Sequence, residues 1–163
     1  MSPRAAWRLE SLGFRNVHDY KPGKLDWMAA ELPTEGAHTS KRRAGDLAKK
    51  DVQTCTMDEK LVDVRKRVKD AVVVVNEHNI VMGILRSKEL QQDGNLTIEK
   101  AMHYGPSTFR PYVTAAEMAE FMVGHELECS PITTSDGKLV GLLYQADAVR
   151  AAAEEAAHRP EHA

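Results

Sequence analysis

The chain has few cysteines and no long hydrophobic run, and each shortage excludes a class of protein. Its 163 residues include two cysteines, Cys55 and Cys129, which are too isolated for a disulfide framework or a Cys-x-x-Cys site. We expect both to be buried as small apolar residues. No apolar run approaches the roughly 18 residues of a membrane span, and the N-terminus lacks the apolar core of a secretory signal. These absences predict a cytoplasmic protein with no membrane partner.

The chain also lacks a charge excess of either sign. Its 22 basic and 24 acidic residues give a formal net charge of −2, so no global field attracts nucleic acid. The basic cluster 40–43 is interpreted as a solvated hinge, and no nucleic-acid partner is predicted. Seven histidines are scattered without metal-ligand spacing, and no phosphate-binding loop or nucleophile elbow is present. The sequence therefore predicts neither a metal site nor an enzyme.

What the chain does contain is one pattern that occurs twice. The stretches 80–89 and 138–147 each carry an apolar pair, a glycine, two aliphatic residues, three mixed residues and a carboxylate. Their glycines, Gly83 and Gly141, are separated by 58 positions (141 − 83). The same separation relates two Thr-x-x-Glu capping boxes, which begin at Thr56 and Thr114 and are expected to start helices. Such a register indicates an internal repeat, which has to be recognised before the fold is assigned.

Each copy has the periodicities of a β-α-β-β-α unit. A capped helix with one apolar stripe precedes two strands joined by a polar turn, and a second helix closes the unit. We predict an α+β fold with helices at 45–50, 58–69, 87–91, 98–103, 115–124 and 145–157, extended segments at 52–55 and 106–113, and strands at 71–75, 80–85, 129–133 and 139–143.

The sequence before the repeats forms a short arm. Two helices, 3–12 and 24–30, flank a polar extended piece and have no core of their own. A linker rich in Pro, Gly and charged residues follows. The predicted organisation is an N-terminal α/β arm at 1–36, a linker at 37–43, the first repeat at 44–92, the second repeat at 96–150, and a helix end with a disordered tail at 151–163.

The repeats resemble a known family. Their β-α-β-β-α order, their Gly-apolar-apolar-x-x-x-acid ending and the strand Ser130-Pro131-Ile132 are similar to those of a tandem pair of CBS domains, a Bateman module. The resemblance implies two repeats packed about a pseudo-two-fold axis, with two clefts that often hold adenosyl ligands. It also implies a disc-shaped homodimer, and we expect Met118, Phe121 and Met122 to form its contact.

The family motif Gly-apolar-apolar-Thr/Ser-x-x-Asp implies candidate ligand-binding residues. Asp147 corresponds to the aspartate that hydrogen-bonds the ribose, and a carboxylate at a helix start can accept both hydroxyls of a cis-diol. Tyr144 replaces the Thr or Ser that contacts phosphate. In the first repeat Arg86 and Glu89 replace both motif residues, so the first site is degenerate. The remaining candidates lie in the second repeat: Ser107 and Thr108 beside the base, Arg110 as a phosphate contact, and Pro131 beside the cleft.

Several of these residues also have a structural interpretation. Asp147 can cap a helix without any ligand, because acidic residues stabilise helix N-termini. Arg110 can be a surface cation, Tyr144 a rim aromatic and Glu89 a solvated charge. The sequence alone leaves both interpretations open.

The arm has a resemblance of its own. It is similar to the last third of a rhodanese-like domain at 4–14, Val17, Tyr20, Gly23, Trp27 and 32–33. In that family a catalytic cysteine lies in a loop just before this helix, where backbone amides stabilise a thiolate. No such loop precedes the helix here, so we predict no sulfurtransferase activity unless another chain supplies the missing part.

Together these observations predict a non-enzymatic regulatory module that requires no cofactor. It would bind an adenosine-containing ligand of the AMP, ADP, ATP or S-adenosylmethionine class in the cleft of the second repeat, and would change its shape or association on binding. The alternative is a dimerisation or interaction module with a vestigial cleft, which the degenerate first site favours.

Overall fold

The computed structural model describes residues 3–18, 20, 22–30, 32–33, 41–68 and 70–157, which form an α+β fold with two repeats. The arm contributes α1 (Pro3–Ser11) and α2 (Gly23–Ala29). The first repeat contributes α3 (Ala44–Leu47), β1 (Thr54–Cys55), α4 (Leu61–Arg67), β2 (Val72–Val75), β3 (Val81–Leu85) and α5 (Ser87–Leu90). The second repeat contributes α6 (Ile98–Ala101), β4 (His103–Tyr104), α7 (Ala115–Gly124), β5 (Cys129–Thr133), β6 (Leu139–Tyr144) and α8 (Gln145–Ala157).

Each repeat is built around an antiparallel hairpin, and the two hairpins pair with corresponding segments on either side. In the first repeat, β1 pairs parallel to β2 and β4 pairs antiparallel to β3, giving the order β1-β2-β3-β4. In the second, a parallel bridge joins Phe109 to Ile132 and an antiparallel bridge joins Lys49 to Leu142, on either side of the β5-β6 hairpin. Ile132 and Leu142 are the repeat equivalents of Val74 and Ile84, which make the same two kinds of pair. The repeats therefore have pseudo-two-fold symmetry.

The short helix that opens each repeat packs against the other repeat. Beside α3, the Ala44 amide donates to the Val113 carbonyl at 2.8 Å, and the Ala115 amide donates to the Arg42 carbonyl at 3.0 Å. Beside α6, the residues that precede the helix pair with those that precede α4 through an antiparallel bridge. Each compact half of the molecule is thus completed by a helix from the opposite repeat.

The chain therefore crosses between the two halves after each exchanged helix. Lys49 pairs with Leu142 in the second hairpin, whereas the carbonyl of Gln53 accepts a hydrogen bond from the Val73 amide in the first sheet. The segment 105–107 makes the equivalent crossing in the other direction. These two crossing segments lie at the boundary between the halves.

Apolar side chains form a core in each half and a third core between the halves. Strands β2 and β5 are buried along their whole length. The first half is packed around Leu61, Val64, Val72, Leu85 and Ile98. The second half is packed around Ala44, Met118, Met122, Ile132 and Leu143. Both hairpins contribute to the core between the halves, which contains Val73, Val75, Ile84, Cys129 and Leu142.

The composition of these cores tests two predictions made from the sequence. Both cysteines are buried, as predicted. The predicted dimer contact is wrong for Met118 and Met122, because both are fully buried in the core of their own chain. Phe121 lies between the ring of Phe109, at a centroid distance of 4.9 Å, and the ring of His125, at 3.9 Å.

The two Thr-x-x-Glu boxes differ in what they do. At α7, Thr114 Oγ1 accepts from the Glu117 amide and the Glu117 carboxylate accepts from the Thr114 amide at 3.0 Å, so the predicted cap is confirmed. At Thr56 the amide also donates to the Glu59 carboxylate, at 2.8 Å. However, α4 begins only at Leu61, so the predicted start at 58 is wrong. Lys60 is held extended by its bridge to Thr97, which delays the helix.

The arm is tied together by its aromatic residues. Tyr20 and Trp27 make an edge-to-face contact with centroids 5.2 Å apart, and the Trp27 indole donates to the Pro33 carbonyl at 2.8 Å. Asp26 connects the arm to the β5-β6 turn by accepting from Ser135 Oγ at 3.1 Å. Much of the predicted linker, 37–40, and the predicted tail, 158–163, lie outside the described residues.

Candidate functional site

A cavity of about 250 Å³ lies where the first crossing segment meets both halves of the molecule. The crossing segment forms one side, the end of α4 and the start of β2 form another, and β6 forms the third. Its walls are lined by Lys49, Asp51, Val52, Gln53, Arg67, Val68, Asp70, Ala71, Leu142 and Tyr144. Any ligand in this cavity would contact both halves at once.

Tyr144 and Lys49 form the wall supplied by the second half. The backbone of Lys49 exchanges two hydrogen bonds of 3.0 Å with Leu142, which fixes the lysine beside the last residues of β6. Its ammonium group then lies 4.4 Å from the centroid of the Tyr144 ring, in a cation–π contact. Burial, together with nearby negative groups that include Asp70, raises the pKa of the Tyr144 phenol. The phenol is therefore neutral at physiological pH.

The wall supplied by the first half is charged. Arg67 pairs with Glu59 at 2.6 Å and donates to the Thr54 carbonyl at 3.3 Å. Arg67 and Lys49 bring two cations to the cavity, and Asp51 and Asp70 bring two carboxylates. This mixture offers donors for an anionic group and acceptors for hydroxyl or amino groups.

A smaller cavity of about 130 Å³ lies next to the first and shares Asp70, Ala71 and Tyr144 with it. The other lining residues are Ser87, Glu128 and Cys129. Asp70 and Glu128 are 58 positions apart, as are Ala71 and Cys129, so repeat-equivalent residues face this space from both halves. The smaller cavity therefore lies near the pseudo-two-fold axis.

The sequence model of the CBS domain matches residues 44–92 and 98–154. The chain belongs to the CBS-domain family. A curated relative, the uncharacterized protein YtoI of Bacillus subtilis, is 34% identical over 79 residues, which cover 48% of this chain and 18% of that protein. The chain thus matches less than a fifth of the length of this relative.

Solved structures show the same fold. CBSX2 of Arabidopsis thaliana, in complex with AMP, aligns with a TM-score of 0.60 and 19% identity over 70% of this chain and 98% of CBSX2. The CBS domain pair of protein MJ0100, in complex with 5′-methylthioadenosine and S-adenosyl-L-methionine, aligns with a TM-score of 0.63 and 18% identity over 71% of this chain and 98% of that pair. At such identities the likeness establishes the CBS fold alone.

In this CBS pair, the predicted site residue Asp147 lies in the first turn of α8 but does not line either cavity. One of its carboxylate oxygens is 2.6 Å from Arg150 Nη2, one turn further along the helix. The side chain is 22% exposed. Tyr144 is thus the predicted residue that the structure places in the cavities, and Asp147 lies one turn away from it.

The predicted loop residues Ser107 and Thr108 do not line either of the two cavities. Both are exposed, and the Ser107 carbonyl accepts from Ser130 Oγ at 2.6 Å. Because Phe109 and Cys55 make equivalent parallel pairs, Gln53 occupies the position in the first repeat that Ser107 occupies in the second. Gln53, and not Ser107, therefore lines the cavity beside Tyr144.

Two further predicted residues support the second hairpin. Pro131 is buried in β5 opposite Leu142, and its carbonyl accepts from the Phe109 amide at 3.1 Å. Arg110 Nη1 donates to the carbonyl of Thr133 at 3.3 Å and also to its hydroxyl. The guanidinium of Arg110 thus fixes the loop to β5.

In the first repeat, Arg86 occupies the position equivalent to Tyr144. Its amide donates to the Glu89 carboxylate at 3.0 Å, so Glu89 stabilises the start of α5. The guanidinium reaches across to the Cys129 carbonyl of the second half at 3.5 Å. Its Nε is buried and has no hydrogen-bond partner among the described residues.

The lining residues Lys49, Asp51, Gln53, Arg67 and Asp70 were not predicted from the sequence. Gln53 could have been found by carrying Ser107 back through the repeat. The others depend on the exchange of α3, which no local pattern indicates. In the described part of the chain, no three His, Cys, Asp or Glu side chains converge as a metal site would require, and no helix is long and apolar enough to cross a membrane.

Proposed function

We propose that this CBS pair is a regulatory module that binds an adenosine-containing ligand of the AMP, ADP, ATP or S-adenosylmethionine class. The observation that carries the proposal is the larger cavity, whose walls come from both halves. The complexes of CBSX2 with AMP and of MJ0100 with adenosyl compounds support this ligand class.

The lining of the cavity supplies the chemistry that such a ligand needs. The Tyr144 ring offers an aromatic surface for the base. Lys49 and Arg67 can pair with a phosphate, and Asp51 or Asp70 can accept from hydroxyl or amino groups. Asp147 would join the site as a ribose partner if ligand binding displaced Arg150, its present partner.

The degenerate first site is part of the same proposal. Arg86, whose Nε donor has no partner among the described residues, would bind an acidic group in the other cleft, which the degenerate first-repeat motif lines. Glu89 would hold the loop that carries it. Ser107, Thr108, Arg110 and Pro131 would shape the loop and strand beside that cleft rather than contact the base at Tyr144.

The mechanism would be a shift of population between arrangements of the two halves. A ligand that contacts both Tyr144 and Arg67 stabilises the arrangement in which those contacts fit, and this differential affinity is what can act on a partner. A homodimer would transmit the shift to a second chain. The outer faces of α7 and α8, with Val123 55% and Val149 41% exposed, offer apolar surface for such a contact.

Thermal unfolding in the presence of AMP, ADP, ATP or S-adenosylmethionine tests the proposal. A ligand at about 100 times its dissociation constant adds roughly 2.7 kcal/mol of stability, which raises the midpoint of a chain of this size by about 5 to 10 °C. Lys49→Met and Arg67→Met should reduce the rise for phosphate-bearing ligands. Lys138→Met is the matched control, because Lys138 pairs with Asp136 in a turn outside both cavities.

The alternative outcome is equally specific. If no adenosyl compound raises the midpoint of the wild-type protein, the cleft is vestigial and the chain is a dimerisation or interaction module. Light scattering after size exclusion would then show a dimer whose mass is independent of nucleotide. A rise that is unchanged in both Lys49→Met and Arg67→Met would place the ligand elsewhere.

We also propose that the rhodanese-like arm is not catalytic. Sulfurtransferase chemistry needs a thiolate, and the two cysteines of the chain are both buried. Burial raises the pKa of Cys55 to about 12 and also raises the pKa of Cys129. Thiosulfate-dependent cyanide consumption should therefore stay at the uncatalysed rate, and a measurable turnover would contradict the assignment.

A further inference from the structure

Tyr144 stands where the two cavities meet. The larger and smaller cavities share Asp70, Ala71 and Tyr144, and of these only Tyr144 has a side chain large enough to fill the passage between them. Pockets for drug-sized ligands usually enclose about 300 to 1,000 Å³. The larger cavity, at about 250 Å³, lies just below the lower limit of that range, so it suits a compact ligand, and a bulkier ligand would also need the space of the smaller cavity.

The position of the ring is fixed from one side. Lys49 lines the larger cavity but not the smaller one, and its ammonium lies 4.4 Å from the ring centroid. The backbone of Lys49 is itself held on β6 by two hydrogen bonds to Leu142. The crossing segment therefore holds the ring where it also lines the smaller cavity.

The two compartments differ in charge. Lys49 and Arg67 line only the larger one. Among the described residues, no lysine or arginine lines the smaller one, which carries the carboxylates of Asp70 and Glu128 beside Ser87. Asp51 and Asp70 also line the larger one, and Arg86 reaches the Cys129 carbonyl beside the smaller one. Since cations line only the larger compartment, an anionic group is favoured there over the smaller one, and a cationic group is favoured in the smaller one over the larger.

We infer that Tyr144 is a specificity-determining residue that confines the ligand to the larger compartment and excludes it from the acidic one. This inference rests on the proposed function and refines it. The wild-type CBS pair should prefer AMP, whose phosphate can reach Lys49 and Arg67, over S-adenosylmethionine, whose tail carries positive charge. Removal of the ring should join the compartments and open the carboxylate of Glu128, which lines only the smaller one, to that tail.

The test is calorimetric titration of the full chain with AMP and with S-adenosylmethionine. Tyr144→Thr removes the ring, and Tyr144→Phe keeps the ring without its hydroxyl. The ratio of the dissociation constant of S-adenosylmethionine to that of AMP should fall by about tenfold in Tyr144→Thr. It should stay within about twofold of wild type in Tyr144→Phe. An equal ratio in all three proteins overturns the inference but leaves the proposed function intact.

A second variant keeps the test decisive if Tyr144→Thr does not fold. Ser87→Leu places bulk in the smaller compartment alone and should leave both affinities of the otherwise wild-type protein unchanged. A loss of affinity for either ligand in Ser87→Leu shows that the ligand already enters the smaller compartment, which refutes the partition. If the wild-type protein binds neither compound, the proposed function and the inference fall together.

Discussion

Gly141 should be more sensitive to substitution than its repeat equivalent Gly83, because the exchanged segment passes directly over it. A Cβ atom built on Gly141 would lie 2.7 Å from the Lys49 carbonyl oxygen and 3.0 Å from the Ala48 Cβ. Backbone atoms cannot rotate away, so Gly141→Ala must push the crossing segment off β6. The two hydrogen bonds between Lys49 and Leu142 would weaken, and the contact with Tyr144 would weaken with them.

The magnitude follows from these contacts. Two backbone hydrogen bonds contribute about 0.5 to 1.5 kcal/mol each, and overpacking costs about 1 to 3 kcal/mol. Partial relaxation leaves an expected loss of about 2 to 3 kcal/mol for Gly141→Ala. The equivalent Gly83→Ala meets mainly the side chain of Met102, which can move, and the His103 carbonyl at 3.0 Å. We expect a loss of about 1 kcal/mol there.

Urea unfolding followed by far-ultraviolet circular dichroism measures both losses, provided that the slopes of the transitions agree. Gly124→Ala is the control, because nothing lies within 4 Å of its added Cβ and it ends α7. It should be neutral or stabilising by up to about 1 kcal/mol. The reasoning is refuted if Gly141→Ala unfolds within about 0.5 kcal/mol of wild type, or if Gly83→Ala loses more stability than Gly141→Ala.

Four further predictions concern residues that the sequence singled out. Thr114→Ala should cost about 1 kcal/mol, and Thr56→Ala much less, because only Thr114 caps a helix; equal losses in urea unfolding would contradict this. The hydrogen bond from Thr114 holds the pKa of Glu117 below its ordinary value. The stability that ionised Glu117 contributes is therefore present above about pH 4.3 and is lost as pH falls further. Urea midpoints measured across pH 3 to 7 can follow this loss. Because both cysteines are buried, the native protein should not react fast with a thiol reagent, and the unfolded protein should consume two equivalents of the reagent. A single fast-reacting thiol in the native protein would show that one half opens locally. Arg110→Met should destabilise the second half by about 1 kcal/mol, because the hydrogen bonds from Arg110 to Thr133 are lost. The nucleotide affinity at Tyr144 should stay unchanged. Weaker nucleotide binding without a loss of stability would instead support Arg110 as a phosphate contact.

Much of the second repeat could be predicted from local patterns. The bounds expected for α7, β5 and α8 are confirmed. A signal in the sequence decides each element: the capping box at Thr114 for α7, the correspondence with the first hairpin for β5, and a run of helix-forming alanines for α8. The pseudo-two-fold pairing followed from the 58-residue separation, because equivalent sequences make equivalent strand pairs.

The exchange of α3 and α6 could not be predicted, because it depends on contacts between distant parts of the chain. Strand β4 is polar and exposed, so nothing in its own sequence indicates a strand. It forms because α6 leads the chain past Gly83, where a missing Cβ lets the backbone approach. The late start of α4 has the same origin, since Lys60 is held extended by Thr97 from the exchanged segment.

The candidate site was harder to predict than the fold for the same reason. The family motif indicates Asp147 and Tyr144, which are neighbours on β6 and α8. Their surroundings come from the first repeat, so the prediction placed Ser107 in the same cleft as Tyr144, whereas the structure places Gln53 there. Arg110 satisfies the hydrogen-bond acceptors of Thr133, and no motif distinguishes that task from phosphate binding.

The exchange also explains how a small ligand could act on the whole module. If each repeat folded on itself, no segment in the wall of the cavity would be anchored in both halves. Because Lys49 is fixed to β6 while Gln53 is fixed to β2, the crossing segment joins the halves along the wall of the cavity. A ligand there would contact both anchors of this segment together with Arg67, so its affinity must depend on the angle between the halves. That dependence is the condition for a population shift.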